Sequence, residues 1–264
     1  MNQISTIVTL YKTPKKMLEN LNVYKRFQLN IFEQEGNKKN IDNLKNILKF
    51  KFKYFYNKKN IGLSKSSNFL ISKIKSRFCL FTQSDVVIKE KDILRLKKVF
   101  SLKKNIIFVT PNFNKKSNKK NIEFVNKINA ACILIDTKKI KELGFFDEDY
   151  FLYWEDIQLM KKINQSKYKM VIANNIHANH LVSKSTESTN KIEFIRNKNF
   201  IYGELVFDYK QKKLRIIKII RKLFQNLSLF FFHIIFFQLK KAFINLSKII
   251  GIFKFIKFLF IKKF

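Results

Sequence analysis

The segment Arg77–Asp85 reads RFCLFTQSD and places an apolar run directly before a polar end. A short apolar run bounded by turn residues is typical of a buried strand, and Asp85 then follows the carboxyl end of that strand. Ligands of open α/β sheets bind outside the carboxyl ends of the strands. The segment therefore predicts a central strand with a carboxylate at the ligand-binding edge. An Asp that caps its own turn is the alternative interpretation.

Outward from this segment, apolar or β-branched runs alternate with segments of helical periodicity. Such alternation predicts βαβ units and a mostly parallel central sheet flanked by helices. The predicted strands are Ile4–Leu10, Gln28–Glu33, Lys53–Tyr56, Arg77–Thr82, Ile106–Val109 and Ala130–Ile135. The predicted helices are Lys15–Leu21 (N-cap Thr13, first residue Pro14), Ile41–Phe50, Ser64–Lys73, Asp92–Ser101 and Thr137–Leu143, the last ending at Gly144.

The composition is that of a folded chain with a large basic excess. Of its 264 residues, 46% are hydrophobic and 15% aromatic, which excludes a disordered protein. The 54 Lys and Arg against 19 Asp and Glu give a net charge of +35. This charge would attract nucleic acid or an anionic membrane, and a general drift in composition is the alternative explanation. Nucleic acid is the less favoured partner, because no helix-turn-helix, zinc-finger or RNP-like pattern is present.

Cysteine usage and the N-terminal sequence indicate a cytosolic location. Cys79 and Cys132 lie in apolar runs and are predicted to be buried, reduced thiols without a disulfide. The stretch that begins at Met1 has no signal-peptide pattern. Nothing in residues 1–208 approaches the ~20 apolar residues that span a bilayer.

Acidic residues are scarce, yet five of the 19 fall within Asp147–Asp156. Clustered like charges repel one another unless a cation or a donor-rich ligand lies among them. Glu155 and Asp156 open a predicted helix, so first-turn acids stabilised by the helix dipole are the alternative interpretation.

Taken in chain order, these segments resemble the family-2 glycosyltransferases of the GT-A fold, especially their bacterial rhamnosyltransferase-like branch. The resemblance covers about residues 4–200, and its most specific motif is Gly144–Asp156, GFFDEDYFLYWED. It implies a Rossmann-like α/β GT-A domain over residues 1–205, followed by a separate tail, 206–264. It also implies inverting transfer of a sugar from a nucleoside-diphosphate sugar to a hydroxyl of a glycan or lipid-linked acceptor, in surface polysaccharide or lipopolysaccharide synthesis.

The resemblance assigns roles to individual residues. Asp156 is the expected catalytic base with Glu155 beside it, while Asp147 and Trp154 lie on the acceptor side. Asp85 corresponds to the family's DxD region, and it is expected to hold Mg²⁺ or Mn²⁺ together with His180 of the His180–Ser183 segment. The expected donor-binding residues are Thr9, Tyr11, Glu33, Asn60, Gly62, Asn68, Gln83 and Ser84.

Several positions depart from the family pattern. Glu33–Gln34 replaces Asp-Asn, and Gln83 replaces the first acid of DxD, so that nucleotide phosphates would supply the remaining oxygen ligands. Gln158 replaces a frequent second Asp, and Ala130 replaces a usual Gly. An inactive homologue that acts as a scaffold is therefore the alternative function. The sequence does not identify the sugar, nucleotide, acceptor or oligomeric state.

The tail differs from the rest of the chain: after Asp208 there are fourteen Lys or Arg and no acid. Leu214–Leu223, Leu227–Leu239 and Ile249–Phe264 mix Ile and Phe with basic residues and predict basic amphipathic helices. Such helices lie in the membrane interface and are attracted by anionic lipid. We therefore expect a peripheral protein on the cytoplasmic face of the cell membrane. Packing of the apolar stripe against the catalytic domain or a second subunit is the alternative, and both can hold.

Overall fold

The computed structural model describes residues 3–114, 120–182 and 184–263. The strands within these residues are Ile4–Leu10 (β1), Gln28–Gln34 (β2), Lys53–Asn57 (β3), Phe78–Thr82 (β4), Val86–Val87 (β5), Ile106–Asn112 (β6), Ile122–Val125 (β7), Cys132–Asp136 (β8), Lys169–His177 (β9) and Asn179–His180 (β10). The α-helices are Lys15–Glu19 (α1), Lys38–Leu48 (α2), Leu63–Lys73 (α3), Glu90–Val99 (α4), Thr137–Leu143 (α5), Glu155–Asn164 (α6), Asn190–Lys210 (α7), Ile216–Ile235 (α8) and Leu239–Lys263 (α9). A 3₁₀-helix, Asn20–Tyr24, follows α1.

The chain forms two compact units. The first comprises Met1–Phe146 and Leu159–Glu187, and the second comprises Asp147–Gln158 and Ser188–Phe264. The predicted boundary after residue 205 falls inside α7, because this helix packs along α9 and belongs with the tail helices. The segment with the acidic cluster also belongs to the second unit.

The first unit is built on an eight-stranded sheet of order β3-β2-β1-β4-β8-β6-β9-β7. Its first four strands are mutually parallel, as are β6 and β9. Strand β8 is antiparallel to β4 and β6, and β7 is antiparallel to β9. The predicted α/β architecture with a mostly parallel sheet is therefore confirmed, with antiparallel pairing confined to β7 and β8.

Alternation along β4 explains why helices cover both faces of this sheet. Phe78 and Leu80 lie in an apolar cluster with residues of α2 and α4, whereas Cys79 and Phe81 lie in a second cluster with residues of α3, α5 and α6. Side chains alternate between the faces of a strand, so a strand that is apolar throughout requires cover on both sides. The free thiols of Cys79 and Cys132 are buried as predicted.

Two local predictions differ from the structure. Helix α1 begins at Lys15 with Pro14 as its N-cap residue, and no side chain caps it, so the prediction of Thr13 as N-cap is wrong. The backbone of Pro14 is extended, with φ −61° and ψ 145°, which places it before the first turn. Strands β7 and β9 were not predicted. Polar residues such as Asn174 interrupt the apolar pattern of β9, which is recognisable by its pairing with β6.

The second unit contains the three long helices α7, α8 and α9. Its core consists of buried apolar residues from α7, α9 and the acidic segment: Tyr150, Ile201, Tyr202, Leu205, Val206, Ile252, Phe255 and Phe258. The apolar stripe of α9 thus packs inside this unit. No helix in the described part of the chain is both long and apolar enough to cross a bilayer.

Glycine permits the close approach of α9 to α7. A Cβ on Gly251 would lie 2.3 Å from Ile201 Cγ2 and 2.4 Å from the Lys198 carbonyl oxygen. Contacts of this length do not occur, so a larger residue would separate the two helices.

Candidate functional site

Many of the predicted donor residues lie at one edge of the first unit's sheet. Strands β1 to β4 are parallel, so their carboxyl ends share this edge. The residues at or just after those ends are Thr9, Tyr11, Glu33, Asn60, Gly62, Gln83, Ser84 and Asp85. Predicted residues that belong to the second unit are Asp147, Trp154, Glu155 and Asp156.

Asp85 is fully buried and anchors a segment far away in the sequence. Its Oδ2 accepts hydrogen bonds from the backbone N–H groups of Lys184 (3.1 Å) and Ser185 (3.0 Å). The Leu181 N–H donates to the Asp85 carbonyl oxygen at 2.9 Å, and the pairing of β5 with β10 brings His180 beside it. Asp85 therefore caps a distant backbone segment rather than its own turn.

The other carboxylate oxygen of Asp85 faces His180. Asp85 Oδ1 and His180 Nε2 are 3.5 Å apart, and both are buried atoms without a hydrogen-bond partner among the described residues. A carboxylate oxygen and an imidazole nitrogen are suitable ligands for a divalent transition metal such as Mn²⁺. The described residues contain no group of three or more His, Cys, Asp or Glu placed to hold a metal. Ser183, part of the predicted His180–Ser183 motif, lies outside the described residues.

Two side-chain amides shape the loop between β3 and α3. Gln34 Oε1 accepts from the Ile61 N–H at 2.9 Å, and its Nε2 donates to the Gly62 carbonyl at 2.8 Å. Asn60 Oδ1 accepts from the Gly62 N–H at 2.9 Å. Gly62 has φ +88°, a conformation that favours glycine, and α3 starts immediately after it. This role of Gln34 was not predicted, because its position beside the loop follows from the pairing of β2 with β3.

Glu33, which replaces the family's Asp, has a partner on the neighbouring strand. The Tyr54 hydroxyl donates to Glu33 Oε2 at 2.5 Å. Burial, and next the bond to Glu33, raises the pKa of Tyr54 above its ordinary value, so the phenol stays a neutral donor. Tyr54 therefore holds the longer side chain in place. On β1, Thr9 Oγ1 lies 3.2 Å from Ser66 Oγ. Just after β1, the Tyr11 hydroxyl donates to Glu35 Oε1 at 3.3 Å.

Asn68, predicted as a donor-binding residue, also makes structural hydrogen bonds. It is buried, its Nδ2 donates to the Phe146 carbonyl at 2.8 Å, and its Oδ1 accepts from the Phe146 N–H at 3.0 Å. Both amide groups are thus bonded to one backbone position, 78 residues further along the chain. Asn68 therefore anchors the segment after Gly144, and its role in donor binding stays a prediction.

In the second unit, the two acids that open α6 have raised pKa values. Burial, and next the neighbouring Asp156, raises the pKa of Glu155 to about 8. Burial also raises the pKa of Asp156, while the Ile157 N–H, which donates to Asp156 Oδ1 at 2.8 Å, acts in the opposite direction. Burial is thus the largest cause of the raised pKa at both acids, and repulsion by Asp156 contributes at Glu155.

The two residues before α6 have left-handed backbones, with φ of +68° at Tyr153 and +71° at Trp154. This conformation is rare for bulky residues, and it persists only where surrounding contacts impose it. Trp154 packs against Phe207 and Phe200 of α7, with ring centroids 5.3 and 6.0 Å away. A Cβ on Gly203 would lie 2.8 Å from Trp154 Cδ1, so the indole rests directly on the backbone of α7.

Two further acids of the cluster, Asp147 and Asp149, pair with lysines of the same unit. Lys210 Nζ lies 2.5 Å from Asp147 Oδ2 and 2.5 Å from Asp149 Oδ2, and Lys262 lies 3.5 Å from Asp149. The cation expected among these acids is therefore a lysine of the chain itself. Asp147, predicted on the acceptor side, takes part in this ion pair.

Solved structures with the same architecture identify the fold. The mannosyltransferase PcManGT from Pyrobaculum calidifontis, in complex with GDP-Man and Mn²⁺, superposes with a TM-score of 0.59 at 10% identity, over 78% of this chain and 64% of that one. The chain has the GT-A fold.

Two further GT-A structures are similar. GalNAc-T7 with UDP, GalNAc and Mn²⁺ has a TM-score of 0.54 at 13% identity, over 76% of this chain and 47% of that one. S. aureus TarS has a TM-score of 0.52 at 16% identity, over 75% of this chain and 39% of that one. The chain thus spans less than two thirds of each of the three. Comparison of the sequence with protein-family models and with curated proteins gave no match.

Proposed function

We propose that this protein is an inverting glycosyltransferase that moves a sugar from a nucleoside-diphosphate sugar to a hydroxyl acceptor. The observation that carries the proposal is the buried pair of Asp85 Oδ1 and His180 Nε2, 3.5 Å apart, directly after β4 of a GT-A sheet. The PcManGT structure contains GDP-Man and the GalNAc-T7 structure contains UDP, both with Mn²⁺, which supports the same ligand class for this chain.

Asp85 and His180 are the proposed metal ligands. Mn²⁺ or Mg²⁺ held there would neutralise the charge that develops on the departing diphosphate. The imidazole favours Mn²⁺, because Mg²⁺ prefers oxygen ligands alone. The Lys184 and Ser185 N–H groups fix Asp85 Oδ2, so the carboxylate presents Oδ1 in one orientation.

Asp156 is the proposed general base. As the acceptor oxygen forms its bond to the anomeric carbon, the bond to the diphosphate oxygen breaks and Asp156 takes the hydroxyl proton. Its raised pKa brings it closer to the operating pH and makes it a stronger base than an ordinary Asp. Glu155, with a pKa of about 8, is largely protonated at neutral pH and is proposed to bind the acceptor rather than to take its proton.

The finer assignments belong to the same proposal. The rhamnosyltransferase-like branch and a role in surface polysaccharide or lipopolysaccharide synthesis rest on the Gly144–Asp156 motif. Attachment to the cytoplasmic face of the membrane rests on the basic tail, residues 206–264. The scaffold alternative requires that no donor sugar is consumed.

A donor screen tests the proposal. Purified full-length protein is incubated with UDP-, GDP- and dTDP-sugars and Mn²⁺ or Mg²⁺, and metal-dependent nucleotide binding is measured by calorimetry alongside nucleotide release. One nucleotide should bind only with the metal, and Asp85→Asn should abolish that binding. The matched control is Asp42→Asn, which changes an exposed carboxylate of the same unit. Metal-independent binding, or equal binding by Asp85→Asn, would overturn the metal site, and no turnover of any donor would favour the scaffold.

A further inference from the structure

Helix α8 exposes one continuous apolar side. Six large apolar side chains of α8 are 56–75% exposed, and their spacing along the helix places them on one face. They are Ile216, Ile217, Ile220, Phe224, Phe231 and Ile235. The face continues into the turn before α9, where Phe237 is 88% exposed. We call these residues, with Phe236 and Leu239, the apolar strip. Soluble monomers rarely expose an apolar surface of this extent unless it binds something.

The opposite side of α8 is occupied within the second unit. Lys218 and Lys222 each lie 2.9 Å from a carboxylate oxygen of Glu204 on α7, and Lys218 also pairs with Asp208. Asn226, one turn further, is buried. These contacts hold α8 in one rotation about its own axis, so the apolar strip stays on the side that is exposed.

Helix α9 buries one apolar face, and its other exposed apolar residues, Leu246, Ile250, Phe253, Phe260 and Ile261, are 37–65% exposed. Ile252, Phe255 and Phe258 are buried in the core that α9 shares with α7. Both tail helices were expected to lie on a membrane, and among the described residues α8 and the following turn offer the more exposed apolar surface.

The charges around the strip are all positive. Exposed basic residues precede it, interrupt it and follow it: Lys212, Lys213, Arg215, Arg221, Lys240 and Lys241. The sequence has no acid after Asp208, and the nearest acids, Glu204 and Asp208, are paired with Lys218. A symmetric contact between two copies would bring these like charges together. An anionic bilayer would bury the strip and attract every basic group beside it.

We infer that the apolar strip inserts into the interface of an anionic bilayer, with α8 and the turn at Phe237 as the main inserted elements. The inference deepens the membrane location in the proposed function and does not depend on sugar transfer. Removing all residues after Tyr209 would be an unsuitable test, because it would also remove α9 and expose the α7 core.

Co-sedimentation of the full chain with vesicles tests this surface. Vesicles of phosphatidylcholine containing one quarter phosphatidylglycerol should bind the protein, and pure phosphatidylcholine should bind it much less. The double variant Phe224→Glu, Phe231→Glu should lower the affinity for these vesicles about tenfold or more, because two phenyl groups are no longer transferred from water into the bilayer. The control Leu102→Glu, Phe124→Glu changes exposed apolar residues of the first unit and should bind like the unchanged protein.

Two measurements keep the outcome interpretable. Metal-dependent nucleotide binding should be unchanged in both double variants, so failure of the membrane inference and of the proposed function are told apart. Arg221→Gln with Lys240→Gln and Lys241→Gln should reduce the preference for phosphatidylglycerol while leaving the strip intact. Equal vesicle binding by the Phe224→Glu, Phe231→Glu variant would overturn the inference. A dimer in solution that this variant converts to a monomer would do the same and assign the strip to a second copy.

Discussion

Gly203 of α7 supports Trp154 directly: a Cβ at position 203 would lie 2.8 Å from Trp154 Cδ1 and 3.1 Å from the Tyr153 carbonyl oxygen. The left-handed backbone at Tyr153 and Trp154 places the indole on this glycine immediately before Glu155 and Asp156. The absence of a side chain on α7 therefore contributes to the position of the two acids.

Gly203→Ala should displace Trp154 and with it the start of α6. In open space, Ala would stabilise a helix by about 1 kcal/mol relative to Gly, so any loss must come from the steric contact. Because Trp154 is the single tryptophan, its emission reports the displacement directly. We expect a shifted emission maximum and a lower kcat, with metal-dependent nucleotide binding retained. An unchanged spectrum would show that the contact relaxes without moving the indole.

Glu155→Gln should alter the pH dependence of stability. The pKa of Glu155 is raised to about 8 in the folded state, so its favourable contribution is complete below the ordinary pKa of Glu and is lost as pH rises through about 8. Gln keeps the size and removes the titration. Thermal unfolding followed by Trp154 emission should therefore lose less stability than the unchanged protein between about pH 5 and pH 9. Glu142→Gln, at an exposed site of the first unit, should leave this alkaline loss unchanged.

Asp156→Asn should lower sugar transfer about 10²- to 10⁴-fold, the usual contribution of a general base. Asn keeps the shape of the side chain but does not accept the acceptor's proton. Single-turnover transfer with saturating donor is the measurement, and donor affinity should change little. In the unchanged enzyme, the rate should rise with pH through a pKa above that of an ordinary Asp. Glu155→Gln is the control and should weaken acceptor binding more than turnover. Near-normal turnover in Asp156→Asn would assign the base to another residue.

Gly251→Ala should destabilise the second unit. The added Cβ would meet the Lys198 carbonyl at 2.4 Å, and backbone yields less readily than a side chain. Overpacking of this kind costs about 1–3 kcal/mol, which outweighs the gain in helix propensity. Chemical unfolding read by Trp154 emission should show the loss. Ser228→Ala, at an exposed position of α8, should leave stability almost unchanged. A more stable Gly251→Ala protein would mean that α7 and α9 separate without penalty.

The central sheet was predictable because its strands carry their own burial pattern. Strand β1 and helix α5 have the bounds that periodicity predicted, and β4 is buried at every position. Helix α7 was not predicted, because its sequence has no clear pattern of burial. Most of its positions are buried or half-buried on all sides, so no single apolar stripe marks it.

The candidate site was predictable only in part. A carboxylate after β4 follows from the sequence, and so does an acidic pair at the start of α6. The contacts that give these residues their properties join distant positions: Asp85 with backbone 99 and 100 residues away, and Asn68 with Phe146. Such contacts depend on the register of strands and loops, which local sequence does not encode. The pKa of Glu155 likewise depends on burial that only the folded unit creates.

The lysine pairs of the second unit make this part of the protein behave as a polyelectrolyte. Lys210, Lys218, Lys222 and Lys262 pair with four carboxylates, Asp147, Asp149, Glu204 and Asp208, whereas no acid follows Asp208 to balance the remaining basic residues of the tail. Repulsion among uncompensated charges opposes the compact state, and salt at 0.1 M screens it beyond about 10 Å. Added salt should therefore strengthen this fold, whereas it weakens proteins that depend on surface ion pairs. The same salt weakens the attraction to anionic lipid. Higher ionic strength should therefore raise the stability of the fold and lower the affinity for the membrane.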